Sequence, residues 1–172
     1  MADQSETARG KVPQGKIVIE RTFATTVKEL WDLWTTKEGL ESWWGPEGFT
    51  TSILGLDLRP GGKFEYEMTA TGPEQVEALK NMKFPLTSRA HGTFVEVTPL
   101  RRLAYRSVID FIPGVEPYEI GAVIDFHAIP QGARLTVSED AMHNEEWTKM
   151  SEMGMSSSLD RLAKVVERRR NW

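Results

Sequence analysis

Three histidines are the side chains best suited to acid or base chemistry near neutral pH, namely His91, His127 and His143. None of them lies in a nucleophile motif, and the chain has no cysteine. His127 alternates with apolar neighbours along a predicted strand, so we expect it on the outer face of a sheet. His91 begins another strand beside Gly92 and is expected to be structural. The sequence predicts no catalytic residue and favours a protein that is not an enzyme.

One cluster has the chemistry of metal ligands, and it consists of Asp140, His143, Glu145 and Glu146. It leads into a predicted helix, where acidic side chains in the first turn are stabilised by the helix dipole without any metal. The glycines after Pro60 join two predicted strands, so they offer no helix N-terminus to a phosphate. We therefore expect neither a metal nor a cofactor.

Polar side chains interrupt the inner faces of two predicted strands. Phe64, Tyr66 and Met68 alternate with charged residues on one strand, and Tyr105 and Ser107 stand in the apolar alternation of another. Most residues in such positions are core. A buried hydroxyl nevertheless normally has a partner, and a bound ligand is one candidate.

Gly154 interrupts the apolar stripe of the last predicted helix, where a glycine costs about 1 kcal/mol relative to alanine. Close contact with a strand is one explanation. The other is space for a ligand, since serines follow at 156–158 and Met150 could adapt to a ligand's shape.

Adjacent Trp43 and Trp44 cannot both face the same way at a helix end. We expect one to be core and the other, Trp44, to close a pocket entrance. Tyr118, after a proline-rich turn, and Met82, in a long link between strands, are predicted to lie near the same entrance.

The elements that position these residues follow from caps and periodicity. Thr26 with Glu29 and Thr35 with Glu38 match the capping box, which predicts two short helices. Pro73 can start a third, and Asn144 caps a long helix to about Arg170. Strands are predicted at 16–24, 50–56, 63–69, 89–98, 103–111, 118–128 and 134–139. Residues 1–15 are predicted to be a disordered tail and 16–172 one domain.

The formal net charge of −4 argues against a nucleic-acid or anionic-membrane partner, because both attract basic surfaces. No apolar run of membrane-spanning length occurs in the sequence. We expect a soluble cytoplasmic protein without a nucleic-acid or membrane partner, and the sequence leaves open whether it is a monomer or a homodimer.

Five motifs resemble the START-like (birch-pollen-allergen-like, SRPBCC) superfamily, and within it the family related to the C-terminal domain of the activator of heat-shock protein 90 ATPase. They lie at 23–31 (FATTVKELW), 43–46 (WWGP), 57–62 (DLRPGG), 91–99 (HGTFVEVTP) and 154–162 (GMSSSLDRL). The resemblance implies an α+β helix-grip fold, in which a curved antiparallel sheet of six to seven strands wraps around the long C-terminal helix. It also implies a cavity between sheet and helix.

Three functions are compatible with these expectations. The first is a carrier or sensor that binds a small hydrophobic molecule in that cavity. The second is a co-chaperone-like module that acts on heat-shock protein 90. The third is a cyclase- or hydrolase-type enzyme that uses the same cavity, where Tyr66 and Tyr105, with or without His91, could orient an acid–base step. The predicted ligand-binding residues are Trp44, Phe64, Tyr66, Met68, Met82, Tyr105, Ser107, Tyr118, Met150 and Gly154.

Overall fold

The sheet of the computed structural model has seven antiparallel strands, and the structure describes residues 15–170. Its spatial order is β1-β7-β6-β5-β4-β3-β2. Strands that lie side by side are therefore also successive along the chain, except for the pair β1 and β7. The strands are β1 (Lys16–Phe23), β2 (Phe49–Leu56), β3 (Lys63–Ala70), β4 (Thr87–Thr98), β5 (Arg102–Ile109), β6 (Tyr118–Ile129) and β7 (Gly132–Asp140). The seven predicted strands are thus confirmed, and both ends of each agree with the prediction within two residues.

Two short helices follow β1, as predicted. Thr26 caps α1 (Val27–Thr35), and its hydroxyl accepts a hydrogen bond from the Glu29 backbone N–H at 3.1 Å. The predicted cap of α2 (Lys37–Trp43) is wrong by one residue, because Thr36 rather than Thr35 accepts from the Gly39 N–H at 3.0 Å. Thr35 is instead the buried last residue of α1, where its hydroxyl donates to a backbone carbonyl one turn earlier.

The other two helices begin at the predicted residues. Pro73 occupies the first turn of α3 (Pro73–Asn81), which forms within the link between β3 and β4 and has no buried residue. The Asn144 side chain caps α4 (Glu145–Arg170), accepting from the Trp147 N–H at 2.8 Å. At the far end of α4, Arg169 donates to a Glu29 carboxylate oxygen at 3.3 Å and so joins α4 to α1.

The core lies between the concave face of the sheet and the helices α1, α2 and α4. Trp31 of α1 meets Phe126 of β6 edge-on, with ring centroids 5.3 Å apart. Helix α4 buries Met155, Leu159 and Leu162 against the same cluster. A long C-terminal helix over a one-sided antiparallel sheet is the predicted α+β helix-grip architecture, which the structure confirms.

Two β-bulges break the regular alternation, one in the edge strand β2 and one in the interior strand β4. One lies between Ile53 and Gly55 of β2, and the other lies between Phe94 and Glu96 of β4. Val95 lies within the second bulge and is exposed although apolar. The predicted tail at residues 1–15 lies outside the described residues except for Gly15.

Candidate functional site

An apolar cavity lies between α1, α2 and the strands β2 to β5. Its volume is about 50 Å³, counted as space for the centres of water-sized molecules, and the total empty space there, open solvent included, is about 480 Å³. The lining residues are Trp34, Leu40, Trp44, Ile53, Gly55, Leu56, Phe64, Glu65, Tyr66, Phe94, Leu103, Tyr105 and Ser107. None of them belongs to α4, so this cavity lies under the two short helices rather than under the long one.

Aromatic rings form most of the wall. Trp44 links the helices to the sheet, with its ring centroid 5.6 Å from that of Trp34 and 6.0 Å from that of Tyr66. On the sheet, Phe64 stacks parallel to Tyr66 at 6.5 Å and meets Tyr105 edge-on at 5.3 Å. Edge-on and offset contacts of this kind are favourable for aromatic pairs, so the wall is cohesive without any ligand.

A glycine under Phe64 lets its ring lie flat on the sheet. Gly92 faces Phe64 across the β3–β4 pair, and a Cβ on Gly92 would lie 2.4 Å from the Phe64 ring. The same Cβ would lie 2.2 Å from the Arg106 carbonyl oxygen, so a larger residue at position 92 would displace the β5 backbone or the Phe64 ring.

Two neighbouring tryptophans differ in how their indole N–H groups are satisfied. Trp43 is fully buried and donates to the Leu33 carbonyl at 2.9 Å. Trp34 is 2% exposed, and its Nε1 has no hydrogen-bond partner among the described residues. A buried N–H without a partner costs about 1–3 kcal/mol, and in native structures such a group calls for an explanation. Trp34 lines the cavity with part of its ring, while its Nε1 atom is itself buried.

Glu139 is a buried carboxyl on the inner face of the sheet. It ends the alternation Leu135, Val137, Glu139 along β7, and it is 8% exposed. Ser151 of α4 donates to its Oε2 at 3.4 Å. Sequence reasoning missed Glu139, although the period of two within the predicted strand 134–139 already placed it on the apolar face.

The electrostatics of the inner face centre on this carboxyl. Burial raises the pKa of Glu139 to about 7, with a smaller opposing effect from Ser151 and an added rise from the neighbouring charge of Asp140. Burial raises the pKa of Tyr66, and the charge of Glu139 adds to the rise, while the Trp44 side chain opposes it. Burial and the charge of Glu139 also raise the pKa of Tyr105 well above its usual range. Both tyrosines therefore remain hydrogen-bond donors at any physiological pH.

Helix α4 holds the loop that carries Trp44. Ser157 accepts a hydrogen bond from the Glu47 N–H at 2.9 Å. The Arg161 Nη1 donates to three backbone carbonyls of the same loop, those of Gly45 at 2.7 Å, Pro46 at 3.1 Å and Phe49 at 3.1 Å. A turn with φ of +98° at Gly45, which glycine adopts without strain, follows Trp44 directly. One wall of the cavity thus depends on α4, although α4 does not line it.

The structure brings together five of the ten predicted ligand-binding residues. Trp44 lines the cavity while Trp43 is core, the division that the sequence predicted for the pair. The other predicted residues that line the cavity are Phe64, Tyr66, Tyr105 and Ser107.

The remaining five predicted residues lie elsewhere. Met68 packs beside Gly45, Met82 is exposed at the end of α3, and Met150 is exposed on α4. Tyr118 belongs to a separate small cluster, and its hydroxyl lies 2.8 Å from His143 Nδ1. A Cβ on Gly154 would meet no atom within 4 Å, so close packing against a strand does not explain this glycine.

Outside the cavity, the structure supports neither the predicted role of His91 nor a metal site. His91 is exposed on the outer face, with its Nε2 3.1 Å from an Asp110 carboxylate oxygen. The enzyme hypothesis predicted a cavity-facing His91, and its outward position counts against that hypothesis, although Tyr66 and Tyr105 do line the cavity. Within residues 15–170, no three His, Asp or Glu side chains are grouped so that they could hold a metal ion. No helix in that range is long and apolar enough to cross a membrane.

A curved antiparallel sheet that holds a long C-terminal helix and an aromatic-lined cavity defines the helix-grip class of START-like proteins. Residues 24–167 match the family described as Activator of Hsp90 ATPase homolog 1-like protein, so the chain belongs to this family, as its motifs indicated. The comparison with curated proteins found no match.

Solved structures with the same fold come from several bacteria. A protein from Chromobacterium violaceum is 21% identical, with a TM-score of 0.72 over 88% of this chain and 96% of its own. A protein from Nitrosomonas europaea is 25% identical, with a TM-score of 0.68 over 90% and 95% of the two chains. The AHSA1 protein from Silicibacter pomeroyi is 22% identical, with a TM-score of 0.70 over 89% and 98%.

Proposed function

We propose that the protein is a carrier or sensor that binds a small, mainly apolar molecule with a hydrogen-bond acceptor in the cavity between α1, α2 and β2–β5. The observation that carries this proposal is an apolar, aromatic-lined cavity beside Trp34, whose buried indole N–H has no hydrogen-bond partner among residues 15–170. Ligand sites are commonly concave and apolar, with a few polar groups that orient the ligand. An acceptor on the ligand would satisfy the N–H in surroundings where water does not compete for it.

The cavity is too small for a ligand of benzene size unless side chains move. The cavity volume of about 50 Å³ is smaller than the roughly 150 Å³ of a cavity that admits benzene in an engineered protein. The cavity is partly open to solvent, and three of its lining residues, Trp44, Phe64 and Tyr66, are only partly buried. A ligand of benzene size or larger must therefore move these side chains outward as it binds.

The test uses acetophenone, an aryl ketone, and ethylbenzene, which has nearly the same shape but no acceptor. Each is titrated into protein labelled with ¹⁵N, and the indole N–H resonances are followed by NMR. The Trp34→Phe variant assigns the Trp34 resonance, and Trp147→Phe, at the start of α4, is the matched control. We expect acetophenone to shift the Trp34 resonance downfield and to bind more tightly than ethylbenzene in the native protein and in Trp147→Phe.

In Trp34→Phe that preference should disappear, because the donor is gone while the apolar ring remains. Lack of binding by both probes, with none of the cavity resonances shifted, contradicts the proposal.

The family description provides a second candidate, an interaction with a heat-shock protein 90 chaperone. An apolar surface around the start of α4 favours it: Phe111 and Met150 are exposed, and the ring centroid of Phe111 lies 6.0 Å from that of Trp147. A purified chaperone assay with native protein and a Phe111→Ser, Met150→Ser variant tests this candidate. It predicts ATPase stimulation that the variant loses, and no stimulation by the native protein contradicts it.

A further inference from the structure

Glu139 and Tyr105 lie on opposite sides of a small residue in one row of the inner face. The register pairs Tyr105 with Ala122 and Ala122 with Glu139 across β5, β6 and β7. Neighbouring strands are about 4.8 Å apart, so the backbones of the outer two are about 10 Å apart. The methyl group of Ala122 leaves space between them, over which both long side chains can lean.

The Glu139 carboxylate has too few hydrogen bonds for a buried group. It offers about four acceptor sites when ionised, and within the described residues the contact it makes is the 3.4 Å bond from Ser151. Buried carboxylates are normally paired or accept several hydrogen bonds. Most hydrogen-bond acceptor sites of the Glu139 carboxylate therefore have no donor among the described residues.

Two residues connect this carboxyl to the cavity. Tyr66 and Tyr105 line the cavity, and Tyr105 shares its row on the inner face with Glu139, which does not itself line the cavity. On the helix side, Gly154 follows Ser151 by three residues, and the position of its missing side chain is open. The polar groups at this end are thus two hydroxyl donors and one carboxylate acceptor.

We propose that Glu139, Tyr105 and Tyr66 form the polar end of the ligand site and that they recognise a hydroxyl group on an aromatic ligand. The inference rests on the proposed function, because it concerns the same cavity. A hydroxyl donates one hydrogen bond to Glu139 and accepts from a tyrosine O–H in return, so it matches both kinds of group. An ammonium group would offer three donors to a single acceptor and no acceptor to the tyrosines. The ligand class is therefore a phenol or a small aryl alcohol.

The test compares 4-methylphenol with toluene, which lacks only the hydroxyl. Dissociation constants for both are measured by NMR titration at pH 8.5 and pH 5.5, in native protein, Glu139→Gln and Glu77→Gln. Glu77→Gln is the matched control, because it removes a carboxylate from an exposed position on α3. Circular dichroism checks that each variant is folded.

At pH 8.5 we expect the native protein and Glu77→Gln to bind 4-methylphenol on the order of tenfold more tightly than toluene, the usual effect of a hydrogen bond to a charged group. In Glu139→Gln the preference should fall to about threefold or less, because the amide oxygen is uncharged. At pH 5.5 the native preference should fall in the same way as Glu139 gains its proton.

The titratable groups around Glu139 are Tyr66 and Tyr105, whose raised pKa values keep them protonated at both pH values, and Asp140 beside it, which is unchanged in all variants. His143 lies in the loop between β7 and α4 and is present in all variants, so a pH effect retained in Glu139→Gln would belong to another group and contradict the inference.

The outcomes separate this inference from the proposed function. If toluene binds and 4-methylphenol binds no more tightly, the polar end is refuted while the apolar cavity stands as the ligand site. Tighter binding of benzylamine than of 4-methylphenol refutes the hydroxyl as the recognised group. If neither probe binds, both proposals are refuted. The pH series on the native protein tests the role of the carboxyl even if Glu139→Gln does not fold.

Discussion

Replacing Glu139 with glutamine should stabilise the protein above neutral pH. The pKa of Glu139 is about 7 in the folded protein, compared with 4.5 for an ordinary glutamate. Below pH 4.5 the carboxyl is protonated in both the folded and the unfolded state, so it has no effect on stability. As the pH rises above 4.5, the unfolded chain loses this proton first, and the folded state becomes less stable until the pH exceeds about 7.

The size of the effect follows from the difference between the two pKa values, at 1.36 kcal/mol per unit. The buried carboxyl should destabilise the folded state by about 3 kcal/mol above pH 7, and glutamine removes this penalty because it has no charge to bury. For a chain of this length, 1 kcal/mol corresponds to about 2–4 °C in Tm, so Glu139→Gln should raise Tm by about 6–12 °C at pH 8.5.

Differential scanning calorimetry from pH 4 to pH 9 measures this directly. The Tm curves of native protein and Glu139→Gln should coincide near pH 4.5 and separate as the pH rises through 7. Glu77→Gln, the exposed control on α3, should follow the native curve throughout. Parallel curves for native protein and Glu139→Gln across the whole range would refute the assignment of a buried, poorly satisfied carboxyl.

Two further substitutions test how α4 supports the cavity. Arg161→Ala removes the donor to three carbonyls of the loop after Trp44 and should lower the free energy of unfolding in urea by about 1–3 kcal/mol. The exposed Arg168→Ala should change it by less than about 0.5 kcal/mol, and equal effects would contradict the role of Arg161. Gly154→Ala should raise the free energy of unfolding by about 0.5–1 kcal/mol, since its Cβ would meet no neighbour. A lower thermal stability of Gly154→Ala would contradict the open space.

Most of the architecture could be predicted from the sequence because its signals are local. The Thr26 and Asn144 caps, the proline at the start of α3 and the period-two alternation of the strands each depend on residues a few positions apart. The cap of α2 was misplaced because two adjacent threonines compete for one role. Packing decided between them, since Thr35 is buried against the core and Thr36 is exposed.

The position of the cavity could not be predicted in the same way. It depends on how α1 and α2 lie over β2–β5, and on bulges at Ile53/Gly55 and Phe94/Glu96 that a regular alternation does not reveal. The sheet residues Phe64, Tyr66 and Tyr105 were found because alternation gave their face. Met150 and Gly154 were chosen on the expectation of a cavity under the long helix, and neither of them lines the cavity under α1 and α2.

The interior carboxyl was overlooked for a different reason. Glu139 lies next to Asp140 at the end of a strand. Two adjacent acidic residues in that position suggest a solvent-exposed turn. Continuing the alternation from Val137 by one step places Glu139 inside and Asp140 outside, where Asp140 accepts from the Gly121 N–H at 2.8 Å. Strand periodicity should therefore be followed through charged residues as well as apolar ones.

The most direct test of the central claim is an intermolecular NOE experiment on the native protein with bound acetophenone. Binding in the proposed cavity predicts NOEs from the ligand methyl group to the Trp34 indole Hε1 and to the Tyr105 ring. NOEs only to Phe111 and Trp147, near the start of α4, would contradict it and would place apolar binding on the outer surface instead.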